Sequence, residues 1–329
     1  MNKPGRRLLG IAPHETSFAR RGFRCDSAAV RQRLEGVGAC FVHGYHAGLE
    51  VAGPEELAAR IDDAVSPDDR GFAYEGAAMA LTVLDVLTPW RRDRLRRFLD
   101  GPAAIHTYIV HVGAGWALAR LPMSAERLLA RLDPLLGWLT LDGYGFHQGF
   151  FHADQAVAGQ RVPRRLRGYA RRVFDQGVGR SLWFVEGADP GRIAADIGAF
   201  PAARRADLWS GVGLACAYAG GVDRATLDTL RQAAGACLPQ LAQGVTFAAS
   251  SRRLAGNPTA HTALACAAIC DMTADEAAAV TERELPAAAP AAVPTPVSVP
   301  TPPVPAGLPL FEVWRLGIQR RFSPEVAIP

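Results

Sequence analysis

The sequence predicts an all-helical protein made of two related halves. Three observations carry this reading: apolar residues recur at helical spacing, strand-like alternation is rare, and two blocks of residues repeat in the same order. Gly36-Val37-Gly38-Ala39-Cys40-Phe41-Val42 aligns with Gly177-Val178-Gly179-Arg180-Ser181-Leu182-Trp183 at an offset of 141. Tyr74–Ala80 aligns with Trp209–Ala215 at an offset of 135, so one six-residue gap reconciles the two blocks. The halves span 1–140 and 141–285. Helix-closing Gly36, Gly101, Gly177 and Gly244 divide each half again, giving about four helical units of roughly 70 residues.

Element by element, Leu57, Ala58, Ile61 and Val65 form an apolar stripe between Pro54 and Pro67. Ile105–Val112 is a β-branched run bounded by Pro102 and Gly113, readable as a strand or as a buried helix. Leu118, Leu121, Leu128, Leu129, Leu132 and Leu135 continue at helical intervals, broken at Pro122 and ended at Pro134. Leu227, Leu230, Ala234 and Leu238 form another stripe, closed by Pro239. The chain has 33 glycines, and each one inside a helix costs about 1 kcal/mol relative to alanine. Segments such as 36–48 and 143–149 are therefore either turns or places where helices pack at close range; Gly145 and Gly149 would share one face. Residues 286–307 are Pro- and Ala-rich and read as an extended linker. The tail at 308–329 turns apolar again around Phe311 and Trp314 and reads as a docking segment, onto its own body or onto a partner.

Composition narrows the function classes. The chain has 329 residues, 49% hydrophobic and 21% charged, which are globular proportions. A net charge of +4, with arginines spread along the chain, gives no basis for nucleic-acid binding. No window has the roughly 20 apolar residues of a membrane span, and the N-terminus lacks the apolar core of a signal peptide, so a cytoplasmic location is expected. The six cysteines form no C-x-x-C pair and read as buried free thiols. No phosphate-loop, dinucleotide or nucleophile-elbow motif is present, and no cofactor or metal is indicated.

The densest polar cluster is Asp142-Gly143-Tyr144-Gly145-Phe146-His147-Gln148-Gly149-Phe150-Phe151-His152. Histidines titrate near neutrality and carboxylates orient them, so His147, His152 and Asp142 are candidate proton-handling residues, with Tyr144 and Phe146 as candidate substrate contacts. Five residues apart, His147 and His152 lie about 140° apart on a straight helix and converge only if the segment bends. In the second half, Glu186 and Asp207 accompany Trp183 and Trp209, a set able to line an aromatic cavity. Tyr74, in the repeated block, joins the substrate-contact candidates. The bland alternative makes both tryptophans core residues and Asp207 a helix cap near Leu208. Arg161, Arg164, Arg165, Arg167, Arg171 and Arg172 read as a solvated helix face or an anion-facing patch.

Several of these blocks resemble a bacterial family of unknown function whose members occur as accessory proteins in enediyne polyketide gene clusters. The resemblance rests on Phe18–Phe23, Asp142–His147, Arg167–Ala170, Phe174–Phe184 and Asp207–Tyr218, and covers roughly residues 5–285. It implies a protein that works with a polyketide synthase on an apolar, polyene-derived intermediate; it supplies no reaction and no catalytic residues. Two readings follow. In one, the chain is an enzyme or enzyme subunit that holds the intermediate between its halves. In the other, it is a non-catalytic scaffold whose tail docks on another protein of the cluster.

Overall fold

A computed structural model describes residues 8–286 and 307–323. Among the described residues there is no strand. Seven long helices form the body: α1 (Ala28–Glu50), α2 (Arg70–Leu87), α3 (Thr107–Arg120), α4 (Leu139–Phe151), α5 (Tyr169–Val185), α6 (Ala202–Ala219) and α7 (Leu238–Leu254), followed by α8 (Ala274–Arg283) and α9 (Leu310–Arg320). Shorter helices such as Pro54–Ala64 and Arg224–Ala234 return the chain between them. The run Ile105–Val112, open between strand and helix, lies in a 3-10 turn and α3. Ile105 is exposed, but Thr107, Ile109, Val110 and Val112 are buried, so packing decides their conformation. Pro122 and Pro134 bracket a short helix, Ala125–Leu129, and Pro239 sits in the first turn of α7, where its missing N–H costs nothing.

The glycines are the organising device. Each of Gly76, Gly113, Gly143, Gly177, Gly211 and Gly244 lies so close to the preceding long helix that a Cβ would strike a backbone carbonyl, in turn that of Phe41, Glu75, Val112, Asp142, Gln176 and Ser210. A second set, Gly44, Gly115, Gly145, Gly179 and Gly213, meets the following helix in the same way, at Ala73, Thr140, Phe174, Leu208 and Leu241. Gly-x-Gly therefore places one bare Cα on each of two opposite faces, since two residues turn a helix by about 200°. Gly145 against Phe174 and Gly149 against Val178 and Ser181 advance together along α4 and α5, so neighbouring long helices run parallel.

The contact recurs at intervals of 37, 30, 34, 34 and 33 residues, one long helix and its connector per step. In that register Gly44 corresponds to Gly179 and Gly76 to Gly211, both at an offset of 135. No gap is needed, and the contact step is about half of the 70-residue unit suggested by the sequence. The larger of two apolar clusters runs from Phe18 to Ile318 across the 140/141 position, and the smaller gathers Leu57, Ile61, Tyr74 and Phe98. Later helices return to earlier ones: Tyr218 of α6 packs edge-on against Phe72 of α2 at 5.1 Å, and Arg33 of α1 donates to the Ala219 carbonyl at 2.8 Å.

The C-terminal helix docks on its own chain. Phe311, Trp314 and Ile318, spaced three and four apart, are fully buried, and the Trp314 indole N–H donates to the Thr281 carbonyl at 2.7 Å. The linker predicted at 286–307 lies almost wholly outside the described residues, as does 324–329 of the tail.

Candidate functional site

A slender cavity runs through the body with lining from all seven long helices and from Ile11 and Thr16 of the N-terminal segment. On α4 the lining extends from Leu139 to Phe151, about 18 Å along the helix axis. Its volume is about 70 Å³, below the usual range of small-molecule sites, so only a thin occupant fits without the walls parting. The wall is aromatic and aliphatic, including Phe41, Phe72, Trp116, Phe146, Phe150, Phe184 and Phe247. Among the described residues, only two ionisable groups that carry charge near neutrality reach it, Glu75 and Arg180.

Both belong to a buried network. The Trp116 indole N–H donates to Glu75 Oε1 at 3.1 Å, and Arg180 Nη2 lies 3.5 Å from the same oxygen. Arg180 Nε is closer to Asp142, at 2.9 Å, and the Gln176 amide donates to the other Asp142 oxygen at 2.9 Å. The Arg180 guanidinium also covers the Phe146 ring at 4.5 Å. One cation thus stands between two buried carboxyls, and the set is neutral when only one is ionised. Asp142 has the shorter contacts and holds the charge better. Burial pushes the Glu75 carboxyl up to about 7, against the opposing pull of Arg180 and of the indole N–H. Glu75 therefore exchanges a proton near neutral pH beside an apolar channel, the setting in which a carboxyl serves as acid or base.

The network continues away from the cavity. Ser210 donates to Gln243 Oε1 at 2.8 Å and reaches Gln176 at 3.2 Å. Arg315 of α9, fully buried, approaches Gln243 at 3.3 Å and pairs with Asp207 at 2.7 Å and Glu312 at 3.3 Å. Glu75, Asp142, Gln176, Ser210 and Gln243 each directly precede the glycine that meets the helix before. The repeated close approach therefore also lines up their side chains.

The residues singled out in the sequence fall in different places. Of the ten, only Phe146 lines the cavity. Asp142 supports Arg180 from behind. His147 and His152 do come together, with ring centroids 6.2 Å apart. His147 is packed against Trp116 and Phe151, and burial lowers it to about 3, so it stays neutral. Glu186 is buried near the N-terminal segment, paired with Arg24 at 2.7 Å and Arg192 at 3.4 Å. Asp207 lies inside α6 rather than at its start, so it is no cap; it pairs with Arg172 and Arg315. Trp183 donates to the Gly220 carbonyl at 3.0 Å, and Trp209 is buried in the core. Tyr74 stacks on Phe98 and packs against His106, and Tyr144 accepts from Arg165 at 2.9 Å. The arginine run is mostly a loop, since α5 begins only at Tyr169.

Sequence reasoning missed Glu75 and Arg180. A signal was present: Glu75 is the only charged residue between Arg70 and Asp85, and Arg180 the only one between Asp175 and Glu186. A lone charge in an all-apolar helix must be paired, functional or both. Among the described residues, no group of three or more His, Cys, Asp or Glu side chains is placed to hold a metal, and all six cysteines are free. No helix among the described residues is long and apolar enough to cross a membrane.

No curated protein and no solved structure matches the chain. Residues 1–322 match the model of a family described as proteins of unknown function, DUF1702, so the match continues past residue 285 through the Pro-rich stretch and α9. The chain belongs to that family.

Proposed function

We propose that the protein binds a slender apolar molecule in the central cavity and that Glu75 gives or takes a proton there. The observation that carries this is the juxtaposition of a long aromatic channel with one carboxyl whose pKa lies at about 7. A conjugated polyene suits the shape: it is rigid, extended and narrow, and it stacks on aromatic walls. Arg180 shares its charge between Glu75 and Asp142, so a proton gained or lost at Glu75 is compensated inside the site. The resemblance to accessory proteins of enediyne clusters gives such an occupant a source, a polyene made by a polyketide synthase, and makes the protein an enzyme or enzyme subunit of that route.

Co-expression with a polyene-forming polyketide synthase, with and without this chain, tests the proposal. Altered polyene products, or a polyene retained on the purified protein, support it. Identical products together with an empty protein contradict it.

A further inference from the structure

A second pocket lies on the outer side of α2 and α3 and shares no lining residue with the central cavity. Its volume is about 470 Å³, within the range of small-molecule sites. Leu95, Leu99 and Leu128 give it an apolar wall, and Arg92, Arg96 and Arg131 stand around it.

His111 lines this pocket as well and is 3% exposed. Its Nδ1 is 2.7 Å from the Thr107 carbonyl oxygen, which can only accept, so Nδ1 carries the hydrogen. Burial disfavours a second proton on the ring. Nε2 is therefore a bare acceptor, and it has no hydrogen-bond partner among the described residues. A buried acceptor left unpaired is costly, and a ligand donor would recover that cost.

The charges around the pocket are unbalanced in use. Asp85 accepts from the Arg94 and Leu95 backbone N–H groups and from the Arg94 guanidinium. Asp133 accepts from the Leu135 and Leu136 N–H groups. Asp100 is the remaining lining carboxylate, and Arg92, Arg96 and Arg131 form no ion pair among the described residues.

We propose that this pocket binds a small amphiphilic anion, with its phosphate or carboxylate head on Arg92, Arg96 and Arg131, its apolar body on Leu95, Leu99 and Leu128, and a hydrogen-bond donor on His111 Nε2. The planar guanidinium fork matches both kinds of head. This assignment is independent of the central cavity. Leu87 and Trp90 are exposed beside the arginines, which makes an anionic membrane surface the competing occupant.

Calorimetric titration of the full chain with hexyl phosphate tests it. Saturable one-to-one binding is expected, at least tenfold weaker in the double variant Arg96→Gln/Arg131→Gln and in His111→Phe. Both arginines are exposed, so their replacement leaves the fold intact even where His111→Phe does not. Inorganic phosphate and hexanol should each bind at least tenfold more weakly than hexyl phosphate. The proposal is overturned by absent binding, by unchanged affinity in the double arginine variant, by inorganic phosphate binding equally well, or by binding confined to anionic lipid vesicles.

Discussion

Gly177 Cα rests against the backbone of Asp142, the residue whose side chain holds Arg180 in place beside the cavity. A Cβ at position 177 would fall on the Asp142 carbonyl oxygen, far closer than the 3.0 Å that real Cβ atoms respect. Helix packing and site geometry are therefore set by one contact.

Gly177→Ala is expected to destabilise the fold by about 3 kcal/mol or more, because the obstacle is backbone and cannot rotate away. Gly211→Ala, against the Gln176 carbonyl, should behave alike. Gly36→Ala is the control: it lies in α1 with nothing within 4 Å and should stabilise by up to about 1 kcal/mol. Chemical denaturation of the three variants checks this; equal effects at 177 and 36 would refute the packing account.

Glu75 makes stability depend on pH. Its folded pKa, about 7, exceeds its usual value of 4.5, so the folded state binds more protons between those values and stability falls as pH rises through that window. The full loss is about 3 kcal/mol above pH 7. In Glu75→Gln this component disappears, so the variant gains on the wild type between pH 5 and pH 8. Denaturation at several pH values measures the difference; parallel curves for the two proteins would place Glu75 outside the titration.

The C-terminal helix should be integral to stability. Arg315→Met leaves Asp207 and Glu312 buried with Arg172 as their remaining cation and is expected to cost about 3–5 kcal/mol. Arg224→Ala removes an exposed pair with Asp228 and should change stability by less than about 1 kcal/mol. Melting temperatures of the two variants separate the cases.

Much of the fold was legible because helical stripes survive in sequence: 54–64 falls where its apolar spacing puts it, and 224–234 holds Leu227, Leu230 and Ala234, although Leu238 and Pro239 open the next helix instead of closing this one. What recurs in the structure is a glycine contact between successive long helices, at about half the spacing of the 70-residue unit read from the sequence. The informative signal was a polar residue before Gly-x-Gly, as in Asp142-Gly143-Tyr144-Gly145, Gln176-Gly177-Val178-Gly179 and Ser210-Gly211-Val212-Gly213. Reading glycine as a helix breaker obscured it, since propensity ignores what close packing returns. The candidate site was less legible. Clusters of polar residues drew attention to 142–154, yet the cavity forms between helices distant in sequence, and its Glu75–Arg180 pair spans 105 positions. The side on which α9 docks depended on partners for Arg315 that no local pattern reveals.

The most direct measurement of the central claim is fluorescence titration of the full chain with a conjugated polyene fatty acid. The wild type should bind saturably at one site. Ala215→Phe, which fills the cavity from α6, should weaken binding at least tenfold while circular dichroism stays unchanged. Equal binding by a correctly folded Ala215→Phe, or no binding by the wild type, would contradict the assignment of the cavity as the binding site.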